Sequence, residues 1–248
     1  MQALVGIGMA VFVLTCAAVG IKLISLAIRG GGLALWCCGL AFSLIAFLGY
    51  PLPVVAGLGQ VTVAELNMPL LLIGNVSSSA GICLFFVFTA HVFHSGQAWA
   101  RGLCGVLVAT YAGVTVANSI ALLNAPPELA SYDVNWSYGL AIQVLCVICF
   151  AWMAGAGLHQ WRMSCRRLAL GLGDPVVSNR FLMWGLFGAS AGALVVVLIV
   201  LQLQRVNAGT DLVGSLAMAG FGLVSSVFAA LAFFPPRAYL DRVRSAVA

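Results

Sequence analysis

Charge is scarce in this chain. Of 248 residues, 11 are Lys or Arg and 6 are Asp or Glu, so 7% are charged where a soluble domain carries about 25%. So few charges cannot coat a water-facing surface of this size. That scarcity excludes a soluble single domain, a disordered chain, a coiled coil and a collagen-like rod. What is abundant is apolar: 63% of the residues are hydrophobic. The solvent of this chain is mostly lipid.

A helix needs about 20 apolar residues to cross roughly 30 Å of hydrocarbon. Seven stretches qualify: 4–28, 33–52, 69–93, 103–123, 136–158, 181–203 and 212–234. Each is bounded by a Gly, Pro, Asn or charged cluster, as helix ends tend to be. The longest piece left over, 53–68, is too short for a domain. The expected fold is all-α: a polytopic seven-transmembrane-helix bundle forming one domain over 1–248.

Charge tests that count. Lys22, Arg29, Arg101, Arg162, Arg166, Arg167, Arg180, Arg237, Arg242 and Arg244 fall on one side if there are seven spans, and only Arg205 falls opposite. Glu65, Glu128, Asp133 and Asp211 occupy Arg205's side. The positive-inside rule then puts the N-terminus outside and the C-terminus in the cytoplasm, in a cell (cytoplasmic/inner) membrane. The net charge of +5 reports orientation, so no nucleic-acid partner is read from it. No basic residue precedes the first apolar run, whose charges Lys22 and Arg29 follow it. An uncleaved first span is therefore expected over a signal peptide.

Further absences narrow the chemistry. No Asp, Glu or Arg lies near the middle of any span, so a proton-coupled transporter carboxylate has no candidate. The topology resembles retinal proteins, but span seven has no lysine for a Schiff base. The HExxH pattern is also missing. His91 and His94 stand at i, i+3 near the inner end of span three, and His159 at the inner end of span five. Those three are the candidate metal or haem ligands; the alternative is histidines in the interfacial aromatic belt beside Trp99 and Trp161. No cofactor and no catalytic residue is assigned.

Eight cysteines occur, at 16, 37, 38, 83, 104, 146, 149 and 165, all in or at the ends of apolar runs. None is in an outer loop where a bridge would form. The CxxC of Cys146 and Cys149 lies deep in span five, where burial suppresses thiol reactivity, so packing is expected. Span six carries Gly188-x-x-x-Gly192. Small residues at that spacing let helices approach, either inside the bundle or across a homodimer.

One pattern points to a site. Asn75, Asn118, Gln143 and Gln202 come from four spans yet fall roughly 6–12 Å below the outer surface, at 1.5 Å rise per residue. Amides in lipid need partners, so they point inward. They either tie helices together or floor an outward-facing small-molecule pocket, with Tyr132, Trp136, Tyr138 and Arg205 at its rim. At the inner side Arg162, Arg166 and Arg167 end span five and would meet anionic lipid head groups. Asn179 is expected to cap span six.

The tail Phe233-Phe-Pro-Pro-Arg-Ala-Tyr-Leu-Asp-Arg-Val-Arg244 resembles the exit from the last helix of bacterial seven-transmembrane sensory domains, which leads into a kinase or cyclase. Here no output domain follows before Ala248, so the resemblance implies a separate cytoplasmic signalling partner. The leading expectation is a receptor-like or sensory membrane protein with an outward pocket and no enzymatic site. The alternatives are a small-molecule transporter or channel component, and a membrane metal or haem enzyme using the inner histidines.

Overall fold

The structure is a computed structural model that describes residues 2–57, 62–206 and 211–245, with side chains from residue 6 onward. Its long helices are α1 (Gln2–Ile28), α2 (Leu33–Leu44), α4 (Met68–Phe93), α5 (Ala98–Leu123), α6 (Ser131–Ala169), α7 (Pro175–Leu203) and α8 (Leu212–Phe233). Two short ones are α3 (Pro51–Val55), which prolongs α2, and α9 (Arg237–Ser245) after α8. Counting α2 and α3 as one pass, seven helical segments are long and apolar enough to cross a membrane. They are apolar on every side because one face meets lipid and the other meets protein. The chain is thus a multi-pass helical membrane protein. Among the described residues there is no β-strand; Thr62 and Ala130 form an isolated antiparallel bridge.

Each membrane-length helix packs on its sequence neighbour, and α1 packs on α8 to close a ring. Inside that ring α4 also touches α6, which pushes α5 outward. Accordingly α4 has 44% of its apolar window buried and α5 only 22%. Lipid offers no hydrophobic drive for helix association, so close packing has to hold the ring. Glycines permit it. A Cβ on Gly8 would lie 2.8 Å from Ala219 Cα of α8, and one on Gly188 would lie 2.9 Å from Ala154 N of α6. The Gly188-x-x-x-Gly192 stripe therefore faces α6, inside the bundle.

Several boundaries differ from the sequence expectation. Helix α6 has 39 residues, roughly 58 Å at 1.5 Å per residue, and projects beyond 136–158 at both ends. Its C-terminus closes with Gly171 at φ +70°. Leu172 N donates to Arg167 O at 2.9 Å and Gly171 N to Leu168 O at 2.9 Å, a Schellman closure that satisfies the last carbonyls. Helix α7 starts at Pro175, with Asp174 as its cap accepting from Val176 N at 2.8 Å. Asn179 is therefore not the cap. It sits one turn inside α7 and accepts from Tyr239 OH of α9 at 2.9 Å.

The second pass breaks. After Leu44 the chain makes one π-helical turn, Ile45–Gly49, closed by Tyr50 N donating to Ile45 O at 2.9 Å. Pro51 and Pro53 cannot donate into a continuing ladder, so the helix is re-initiated as α3. Gly49 fits here because a Cβ would lie 2.8 Å from Ser78 Cα of α4. The following segment docks on the α5–α6 connection: Val63 N donates to Leu129 O at 2.9 Å and Ala64 N to Pro127 O at 3.0 Å.

Candidate functional site

Two ends of the bundle can be told apart by charge. One carries Glu65, Glu128, Asp133, Asp211 and Arg205 (the acidic end); the other carries the remaining ten basic residues (the basic end).

At the acidic end the structure brings Tyr132, Trp136, Gln202 and Arg205 together. Gln202 is buried, and its Nε2 donates to Trp136 O at 2.7 Å. In return Trp136 Nε1 and Tyr132 OH donate to Gln202 O at 3.1 and 3.3 Å. Arg205 lies over the Trp136 ring, 5.7 Å from its centroid. It holds φ +56°, a left-handed conformation that costs a non-glycine residue about 1–2 kcal/mol. That geometry ends α7, with Val206 N donating to Leu201 O at 2.9 Å and Arg205 N to Gln202 O at 3.0 Å. The group is a clasp between α6 and α7 whose amide is spent on the protein. Tyr138 is half-buried further along α6.

The other three amides do not join it. Asn118 is 2% exposed, with Oδ1 unpartnered, about one turn toward the acidic end from the hydrogen-bonded pair Ser79–Thr115 (2.7 Å) that links α4 to α5. Asn75 and Gln143 are half-buried, with Asn75 Nδ2 and Gln143 Oε1 unpartnered. The four share a depth but not a direction.

The bundle has its own cavity, deeper than that layer. A partly open hollow of about 210 Å³ lies among α1, α2, α4, α6, α7 and α8, with walls that include Ile45, Tyr50, Ser78, Cys146, Phe187 and Ser225. None of the four amides lines it; Asn75 and Gln143 sit one turn toward the acidic end from Ser78 and Cys146, at i−3. Two of its polar groups are already bonded: Ser225 Oγ to Ser190 Oγ at 2.8 Å, and Cys146 Sγ to Tyr111 OH at 3.3 Å. Among the described residues Tyr50 and Ser78 have side-chain hydroxyls with no protein partner. Both border the π turn: Tyr50 closes it and Ser78 meets Gly49. π turns inside α-helices often mark functional sites. Reasoning from sequence places Ser78, with Ser77, Ser79 and Ser119, among the hydroxyls near the amide layer, but misses Tyr50. The signal available was the Tyr50-Pro-x-Pro53 interruption of an otherwise apolar run.

Toward the basic end the cavity is closed by a layer of rings. Phe42 of α2 packs 5.1 Å from Phe85, 6.1 Å from Trp184, 5.6 Å from Phe187 and 6.1 Å from Phe233, centroid to centroid. Trp184 contacts Phe88 at 5.2 Å and Phe233 at 5.7 Å. Behind this layer is a second hollow of about 300 Å³, a vestibule among the basic ends of α1, α2, α4, α7 and α8. Phe42, Phe85 and Phe187 border the first cavity, while Phe88, Trp184 and Phe233 border the second.

The histidines do not assemble. His94 has left the helix, at φ −129° and ψ 34°, so it no longer shares a face with His91, which is exposed. His94 Nε2 accepts from Trp152 Nε1 at 3.1 Å, and its Nδ1 lies 3.2 Å from Gln97 Oε1. A ring nitrogen bonded to an indole N–H has no lone pair for a metal. His159 is exposed, lining an open groove with His94 and Trp152. Among the described residues no group of three His, Cys, Asp or Glu could hold a metal ion. All eight cysteines are free, and Cys149 Sγ donates to Ile82 O at 3.9 Å. Arg162, Arg166 and Arg167 are exposed on the last turns of α6.

No family model matches this chain, and neither does any curated protein or solved structure.

Proposed function

We propose that this chain is a receptor-like membrane protein that takes a small, mostly apolar, uncharged molecule into the central cavity. Small-molecule sites are concave, largely apolar and carry a few convergent polar groups. The observation that carries the reading is the pair of unpartnered hydroxyls, Tyr50 and Ser78, on an otherwise apolar wall. The wall carries no charged group, so an ion would bind there without compensation. The ten basic residues at one end support placing that end in the cytoplasm and the N-terminus outside, in a cell membrane.

Native mass spectrometry of the purified protein tests this reading. An apolar molecule is expected to accompany the wild type and to be lost from Ser78→Leu, whose side chain fills the cavity. Tyr50→Phe should weaken retention by up to about tenfold, the worth of one neutral hydrogen bond. Equal occupancy in wild type and Ser78→Leu would refute it.

A second reading is passage, favoured by the in-line position of the vestibule behind a single layer of rings. Hydrophobic constrictions gate by excluding water. On that reading Trp184→Ala raises leak of an uncharged solute from proteoliposomes, whereas a pure receptor shows no such rise.

A further inference from the structure

The vestibule differs from the central cavity in one respect: it carries charge. Lys22 of α1 and Arg180 of α7 stand among Leu26, Val92, Phe181 and Trp184 on its wall. Lys22 Nζ donates to Phe233 O at 2.6 Å and lies 4.1 Å from the Phe234 ring centroid. An ammonium has three donors, so this use leaves two. Arg180 is exposed and has no hydrogen-bond partner among the described residues. Neither cation meets a carboxylate: the single ion pair among the described residues is Asp241–Arg244, at 4.0 Å. Trp184 is 5% exposed and its Nε1–H has no partner, an unusual state for a buried indole.

Two uncompensated cations at the mouth of an apolar hollow define an amphiphile with an anionic head. Lys22 is half-buried and Arg180 exposed, and a bound anion would accept charge-assisted hydrogen bonds from both. The hollow, at about 300 Å³, sits at the small end of ligand sites. It takes one alkyl chain and not the two of a phospholipid. We infer that the vestibule at the basic end binds a single-chain fatty carboxylate, its head between Lys22 and Arg180 and its tail against Trp184 and Phe181. The site is separate from the central cavity and does not depend on what that cavity holds.

The test is binding of tritiated dodecanoate to the full chain in phosphatidylcholine nanodiscs, with empty discs subtracted. Saturable binding is expected, competed by unlabelled dodecanoate and not by dodecyltrimethylammonium or inorganic phosphate. Lys22→Gln with Arg180→Gln should weaken it by about tenfold or more, since hydrogen bonds between charged groups are the strong ones. Lys22→Arg, which keeps the charge, should retain most of it. If the double variant fails to fold, the competition on the wild type decides. Four results overturn the inference: no binding above empty discs, equal competition by the ammonium amphiphile, full displacement by phosphatidylglycerol placed in the disc, or unchanged affinity in a folded double variant.

Discussion

Gly157→Ala is the sharpest probe of how the ring is held. A Cβ on Gly157 would sit 2.9 Å from Gly185 N, 3.0 Å from Gly185 Cα and 3.2 Å from Phe181 O. All three are backbone atoms, so no side chain can rotate away. Restoring ordinary carbon contacts, about 3.5–4.0 Å, requires α6 and α7 to part by roughly 0.5–1 Å, which forfeits a quarter to a half of each facing contact. This is the most extensive helix pair in the bundle. Overpacking of this kind costs about 1–3 kcal/mol, and about 2–4 °C accompanies each kcal/mol at this chain length. The expected drop in melting midpoint is therefore about 2–12 °C. The protein supplies its own reporter: Cys16, Cys38 and Cys149 are at most 2% exposed and become reactive to a thiol-sensitive dye only on unfolding. Gly113→Ala is the control, because a Cβ there meets nothing within 4 Å. Equal midpoints for Gly157→Ala and Gly113→Ala would refute the argument.

Arg205→Gly should raise the midpoint by about 1–4 °C, because relief of a left-handed residue (~1–2 kcal/mol) outweighs an exposed cation–π contact (~0.5–1 kcal/mol); a lower midpoint contradicts that balance. Gln202→Leu removes one interhelical hydrogen bond, worth on average ~0.6 kcal/mol in a bilayer, so stability should fall slightly while retention of a molecule in the central cavity is unchanged. The folded protein should run identically with and without reductant, and a polar maleimide should label Cys165, the exposed thiol, first; a mapped Cys146–Cys149 bridge contradicts this. A reporter after Ala248 should read as cytoplasmic and a tag before Met1 as external; both termini on one side would end the seven-pass, N-outside topology.

The seven passes were legible because long apolar runs separated by charge leave little choice of element. Their ends were not. Hydropathy stops at Trp136 and Leu158, yet α6 runs on through Tyr132, Asp133 and Arg162 to Arg167, since a helix leaving the membrane needs no apolar side chains. Helix α9, with its basic last turn, escaped a search for apolar runs for the same reason. The amide layer shows a second limit. Rise per residue gives depth, but direction around each helix depends on which neighbour it meets. Gln202 turned to Trp136, while Asn75 and Gln143 lie a turn above the cavity they were expected to floor. Tyr50 and Ser78 share the cavity wall where the π turn at Ile45–Gly49 packs on α4, and a one-residue irregularity leaves no periodic signature.

The contact between α1 and α8 carries a consequence for biosynthesis. Gly8 faces Ala219, and Lys22 bonds to Phe233 O, so α1 has a partner, α8, that is synthesised six passes later. Synthesis at about 5–20 residues per second separates the two by on the order of ten seconds or more. Throughout that interval α1 lies in the bilayer or against the insertion machinery with its glycine face uncovered and its lysine without a carbonyl to hold. Ribosome-stalled chains that end within α7 should therefore expose Lys22 to an amine-reactive reagent that the released chain resists. The late arrival of α8 makes closure of the ring, and not entry of any one helix, the step at which this protein becomes committed to its structure.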